Sequence, residues 1–89
     1  MTEDDARAAV LAAIGQVAPD VDTDGLDDSA RFRQDLELDS LDFLRLLETV
    51  AGATGVETPE NDYASLTTVH SLIGYVAAQA DRTQQTLYP

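Results

Sequence analysis

Apolar residues recur at helical spacing in three parts of the chain. In the first, Val10, Leu11, Ile14 and Val17 fall on one side of a 3.6-residue turn. Thr2 stands ahead of them with a side-chain oxygen suited to capping, and Glu3, Asp4 and Asp5 occupy the first turn, where the helix dipole favours acids. This pattern ends near Ala18-Pro19. From Asp20 to Asp39 the chain is rich in Asp, carries a Gly and has no apolar period, which predicts a long loop whose Leu26, Phe32 and Leu36 turn back toward the core. Loops of such length are usually functional or disordered.

The second periodic stretch predicts a helix from about Ser40 to Ala53. One stripe holds Leu41, Leu44, Leu47 and Ala51, and another holds Phe43, Leu46 and Val50. A surface helix needs one apolar stripe, so the second either faces a partner or cargo, or packs against a further neighbour. Gly52 and Gly55 mark the end of this helix. After Pro59, the segment from Asn61 to Leu66 predicts one short helix started by Asn61 or Asp62. Thr67 or Thr68 then caps a last helix with Val69, Leu72, Ile73, Val76, Ala77 and Ala80 on one face. The tail over residues 81–89 is polar and predicted to be loose. The expectation is an all-α fold, a small four-helix bundle of three main helices and one short one, with a long loop between the first and second helices. Its domain covers residues 1–80.

Composition narrows the function. At 89 residues the chain builds one compact core but no deep enclosed cleft. Seventeen acidic residues against five basic ones give a net charge of −12, which repels nucleic acid and anionic lipid and favours partners with basic surfaces. Without cysteine there is no disulfide framework, thiolate nucleophile or thiolate metal site. The N-terminal Met1-Thr2-Glu3-Asp4-Asp5 lacks a basic, apolar leader pattern, and no apolar run approaches a membrane span; a cytoplasmic monomer is expected.

The stretch Phe32-Arg33-Gln34-Asp35-Leu36-Glu37-Leu38-Asp39-Ser40-Leu41-Asp42 carries the candidate chemistry. With Asp39 as N-cap and Asp42 three residues later in a capping-box-like arrangement, Ser40 falls at the first helical position, its hydroxyl unused by capping. An anion attached there would meet the positive end of the helix dipole. Repulsion from Glu37, Asp39 and Asp42 opposes this, screened by solvent.

The same stretch resembles the attachment-site signature of acyl carrier proteins, F-x-x-D-L-x-x-D-S-L-D. The resemblance extends through Val56-Glu57-Thr58-Pro59-Glu60 to Leu66-Thr67-Thr68-Val69 and Tyr75-Val76. It implies that Ser40 receives 4′-phosphopantetheine from coenzyme A and that the thiol of this arm holds acyl groups as thioesters. It also implies that a phosphopantetheinyl transferase and acyl-loading and acyl-processing enzymes of fatty-acid, polyketide or related synthesis are the partners. Asp39, Leu41, Asp42, Phe43, Arg45 and Glu48 are the candidate recognition residues, with Asp39 and Asp42 expected to engage the transferase. Three positions depart from the family pattern. Glu37 replaces the usual Gly, and Arg45 and Glu48 replace, respectively, an acid and an apolar residue of the best-known fatty-acid carriers. Arg45 could pair with Asp42 or Glu48 at helical spacing.

Other readings compete with this one. Asp20-Val21-Asp22-Thr23-Asp24-Gly25 matches the first half of a calcium-binding loop, but position 12 is Arg31 instead of a bidentate Glu and position 8 is the acidic Asp27, so no metal site is expected. Peptidyl and aryl carriers usually show G-G-x-S where this chain has Glu37-Leu38-Asp39-Ser40, which favours acyl cargo; D-alanyl or other aminoacyl carriers stay open as the alternative, since the D-alanyl ones share the Asp-Ser core. A catalytic role is not expected, because His70 is the single histidine and no nucleophile, base and orienting group can be assembled. Phe32, Phe43, Tyr63 and Tyr75 are candidates for the core.

Overall fold

A computed structural model describes the backbone of residues 1–86 and the side chains of residues 1–80. Helix α1 spans Glu3–Val17, α2 spans Ser40–Thr54, a 3₁₀ helix spans Glu60–Ser65, and α3 spans Val69–Thr86. The described residues form helices and no named strand, as the periodicity predicts. The long loop between α1 and α2 is present, with Leu26 and Leu36 half-buried against the core and Phe32 fully inside it.

Local hydrogen bonds explain where the elements begin. Thr2 Oγ1 accepts from the Asp5 N–H at 3.1 Å and caps α1, while Asp39 Oδ1 accepts from the Asp42 N–H at 2.8 Å and caps α2. At α3 the cap is Thr68, whose Oγ1 accepts from the Ser71 N–H at 3.1 Å while Ser71 Oγ accepts from the Thr68 N–H at 3.0 Å. This reciprocal pair satisfies two N–H groups at once. Loop carbonyls serve the next two donors, since Val69 N–H donates to Ala30 O and His70 N–H to Asp28 O. Phe32 N–H donates to Thr67 O at 3.0 Å, so residues 30–32 are stitched antiparallel to the start of α3. The stitching selects Thr68 over Thr67 as the cap.

Three expected boundaries are corrected. The 3₁₀ helix starts at Glu60 after Pro59 with no side-chain cap, and not at Asn61 or Asp62. Asp62 is engaged elsewhere, its Oδ2 accepting from Tyr75 Oη at 2.9 Å. Gly55, in the left-handed region at φ 77°, ends α2 and donates to Ala51 O, whereas Gly52 remains inside the helix. Helix α3 continues past Ala80 to Thr86. The side chains of the expected loose tail, 81–89, lie outside the described residues.

The core forms where α1 packs against both α2 and α3. Val10 and Ile14 of α1, Leu46 and Val50 of α2, and Val69, Leu72, Ile73 and Val76 of α3 are essentially inaccessible to solvent. Of the two stripes on α2, one therefore lies inside, joined by Leu47. Leu41 and Leu44, at the N-terminal half of the other stripe, are 59% and 40% exposed. The surplus apolar surface on α2 faces outward.

The loop is tied down by polar contacts as well. Arg7 forms an ion pair with Asp28, and Asp35 Oδ2 accepts from the Arg31 N–H at 2.7 Å and from Arg31 Nε at 3.2 Å. The Arg31 amide, and then its guanidinium, hold the Asp35 carboxyl below its ordinary value. Glu37, where the family pattern has Gly, sits at φ 56°. A side chain in this left-handed region crowds the following carbonyl at a cost of roughly 1–2 kcal/mol, partly offset because Glu restricts the unfolded chain more than Gly does. Glu37→Gly is expected to raise the unfolding free energy by about 0.5–1 kcal/mol. A higher midpoint in urea would check this; an unchanged or lower one would show the turn to be unstrained.

Candidate functional site

Ser40 is the first residue of α2, and Asp39 has already supplied the capping oxygen. Its hydroxyl is exposed and does not cap the helix, as the sequence predicts. It is not without a partner, however. An Nη2 hydrogen of Arg33 is donated to Ser40 Oγ at 2.9 Å, a contact across the corner between loop and helix that periodicity does not reveal.

The capping arrangement around Ser40 is one-sided. Asp39 accepts from the Asp42 amide, but the reciprocal bond from the Asp39 N–H to the Asp42 carboxylate is not among the hydrogen bonds of the described residues. The entry into α2 thus depends on Asp39. Asp39→Ala is expected to lower stability by about 1 kcal/mol, whereas Asp39→Asn keeps the cap and loses only the charge. Urea unfolding of the two variants separates these roles; equal losses would mean that charge, not capping, is what Asp39 contributes.

Beside Ser40 opens a cleft of about 900 Å³ that is open to solvent and not deeply enclosed. Its wall includes Phe32, Phe43, Tyr63 and Leu66, with Arg33 and Ser40 at its edge. Phe43 bridges the two other rings, its centroid 5.6 Å from that of Phe32 and 5.8 Å, edge-on, from that of Tyr63. These residues lie at 32, 43 and 63 in the chain, so only the tertiary fold assembles them. The aromatic residues are packed, as anticipated, and three of them also face the cleft.

The other candidates scatter over the outer face of α2. Leu41, Arg45 and Glu48 are exposed, and Asp42 is partly covered. Phe43 is half-buried against the core, so it belongs to the cleft wall more than to the outer surface. The expected pairing of Arg45 is not made: among the described residues it forms no ion pair with Asp42 or Glu48. Such an exposed pair gains at most a few tenths of a kcal/mol, too little to hold two long side chains together. His70 is exposed on α3 and does not line the cleft. In the acidic loop, Asp22 Oδ1 accepts from the Asp24 N–H, and among the described residues no three His, Cys, Asp or Glu side chains converge as a metal site. No helix among the described residues is long and apolar enough to cross a membrane.

A phosphodiester-linked arm fits this arrangement. The Ser40 oxygen is accessible, it lies at the positive end of a 15-residue helix, a guanidinium is within hydrogen-bond reach, and the adjacent cleft leaves room.

Comparison with known proteins agrees with the geometry. Residues 8–76 match the family described as the phosphopantetheine attachment site. The acyl carrier protein of Rubrobacter xylanophilus is 36% identical over 73 residues, covering 79% of this chain and 90% of that protein. The acyl carrier protein of Chlamydia muridarum is 35% identical over 74 residues, covering 83% of this chain and 90% of its own.

Proposed function

We propose, from the premise that this chain belongs to the acyl carrier protein family, that Ser40 is its attachment residue and that acyl groups ride from there to successive enzymes. The family membership makes the chain a non-catalytic carrier with covalently attached 4′-phosphopantetheine, served by a phosphopantetheinyl transferase and acyl-processing enzymes. The observation that carries the assignment to Ser40 is its exposed hydroxyl at the first position of α2, left out of the cap by Asp39.

In this reading the Ser40 oxygen loses its proton and bonds to the coenzyme A phosphorus nearer the pantetheine, the pyrophosphate bond breaks and adenosine 3′,5′-bisphosphate leaves, and the attached arm supplies a terminal thiol that holds acyl groups as thioesters. The residues of the chain do the rest. Asp39 fixes the start of the helix, the first-turn amides and dipole favour the phosphate, and the cleft walled by Phe32, Phe43 and Tyr63 shelters an apolar cargo from water. Exposed Leu41 offers apolar contact to partner enzymes, while Asp39, Asp42 and Glu48 attract their basic surfaces. Arg45 interrupts that acidic face and selects among partners. Fatty-acid, polyketide and related acyl synthesis in the cytoplasm are the settings such a carrier serves.

The cargo class is tested on the loaded protein. An acyltransferase that uses malonyl coenzyme A should charge the arm, and an adenylating enzyme that uses D-alanine should not. Charging by D-alanine alone would move the chain to the D-alanyl carriers.

A further inference from the structure

Arg33 is the cation that the fold presents to the attachment corner. Arg7 is committed to Asp28 and Arg31 to Asp35, while the guanidinium of Arg33 reaches Ser40 Oγ at 2.9 Å. Its backbone position is well anchored. Phe32, the preceding residue, is 2% exposed and bonded through its N–H to Thr67 O, and the turn beyond is closed by the Asp35 and Leu36 N–H groups, both donated to Arg31 O. Arg33 therefore extends toward Ser40 from a fixed base.

We propose that in the loaded protein Arg33 holds the phosphodiester at the base of the arm and directs the arm to the cleft side of Ser40, an inference that rests on Ser40 being the attachment residue. The phosphoryl oxygens would lie two bonds beyond the oxygen that Arg33 already contacts, so a small swing of the side chain exchanges a hydroxyl acceptor for an anionic one. A guanidinium suits this role because its planar fork donates two parallel bonds to phosphate, and a charge-assisted bond is stronger than one to a neutral hydroxyl. The need is electrostatic. Glu37, Asp39 and Asp42 lie within three residues of Ser40 in a chain of net charge −12, and Arg33, bonded to Ser40 Oγ, offsets their repulsion of a phosphate. Arg33 and Ser40 both line the cleft, so a phosphate held between them sets the arm off along its aromatic wall and away from exposed Leu41. A partner enzyme that draws the arm out must first break this contact.

The test is phosphorus-31 NMR of the loaded wild type, Arg33→Gln and Arg33→Lys, each titrated with salt. A guanidinium contact makes the wild-type phosphodiester shift depend on ionic strength, because salt screens an exposed charge pair. Arg33→Gln should move the resonance and lose that dependence, and Arg33→Lys, which keeps the charge without the fork, should retain part of it. Identical shifts and salt responses in wild type and Arg33→Gln would overturn the proposal with the attachment assignment intact. So would failure of a natively folded Arg33→Gln to load, which would place Arg33 in transferase recognition instead. No phosphodiester resonance in the wild type would bring down the attachment assignment itself, and this inference with it.

Discussion

Replacing Phe32 with Ala should lower the unfolding free energy by about 3–5 kcal/mol, the range for truncating a buried phenylalanine. The ring is 2% exposed and packs on Phe43, so removing it leaves a void that nearby side chains can fill only in part. Its loss also loosens the stitch between residues 30–32 and the start of α3, whose first amides donate to loop carbonyls. For a small domain with a total stability of about 5–15 kcal/mol, this is enough to leave much of the population near the unfolding threshold. Half-buried Phe43 supplies the comparison. Phe43→Ala enlarges a cleft that is already open to solvent, so it should cost less. Urea unfolding followed by far-ultraviolet circular dichroism gives both values. A Phe32→Ala loss below about 1 kcal/mol would mean that the loop, with its charged ties through Arg7 and Arg31, is held without the aromatic anchor.

The largest functional effect belongs to Ser40→Ala, which should abolish attachment of the arm while leaving the fold intact. Asp39 makes the cap and the Ser40 side chain is exposed, so Ala at this position gives up only the hydrogen bond from Arg33. Ala is also a good helix former, which keeps the change in stability within about half a kcal/mol. Loss of loading with an unchanged unfolding curve therefore separates a chemical role from a structural one. Residual loading of Ser40→Ala would point to another hydroxyl.

Much of this could be read in the sequence because its causes are local. The caps at Thr2 and Asp39 use side-chain oxygens three residues from the amides they bind, and the burial of Leu46, Val50, Leu72 and Ile73 follows the helical period. Glu37 was visible as a departure from Gly, and the chain keeps the positive φ that Gly would allow. What was not legible depends on groups distant in sequence. The bond from Tyr75 to Asp62 removes a capping candidate from the short helix, and the pairing of residues 30–32 with 67–69 decides between two threonines. The cleft needs rings from three separate elements, and the Arg33–Ser40 bond crosses a corner. The end of α3 is not legible for another reason: beyond Ala80 the helix runs on through polar residues, and apolar periodicity carries no signal there.

The most direct test of the attachment assignment uses peptide mass spectrometry. The protein is incubated with coenzyme A, magnesium and a broad-specificity phosphopantetheinyl transferase, then cut with trypsin. Cleavage after Arg33 and Arg45 releases residues 34–45, in which Ser40 is the only hydroxyl side chain. One phosphopantetheinyl group should appear on that peptide in the wild type and be absent from Ser40→Ala. A wild-type peptide without the added mass, or the group on any other peptide, would contradict Ser40 as the attachment residue.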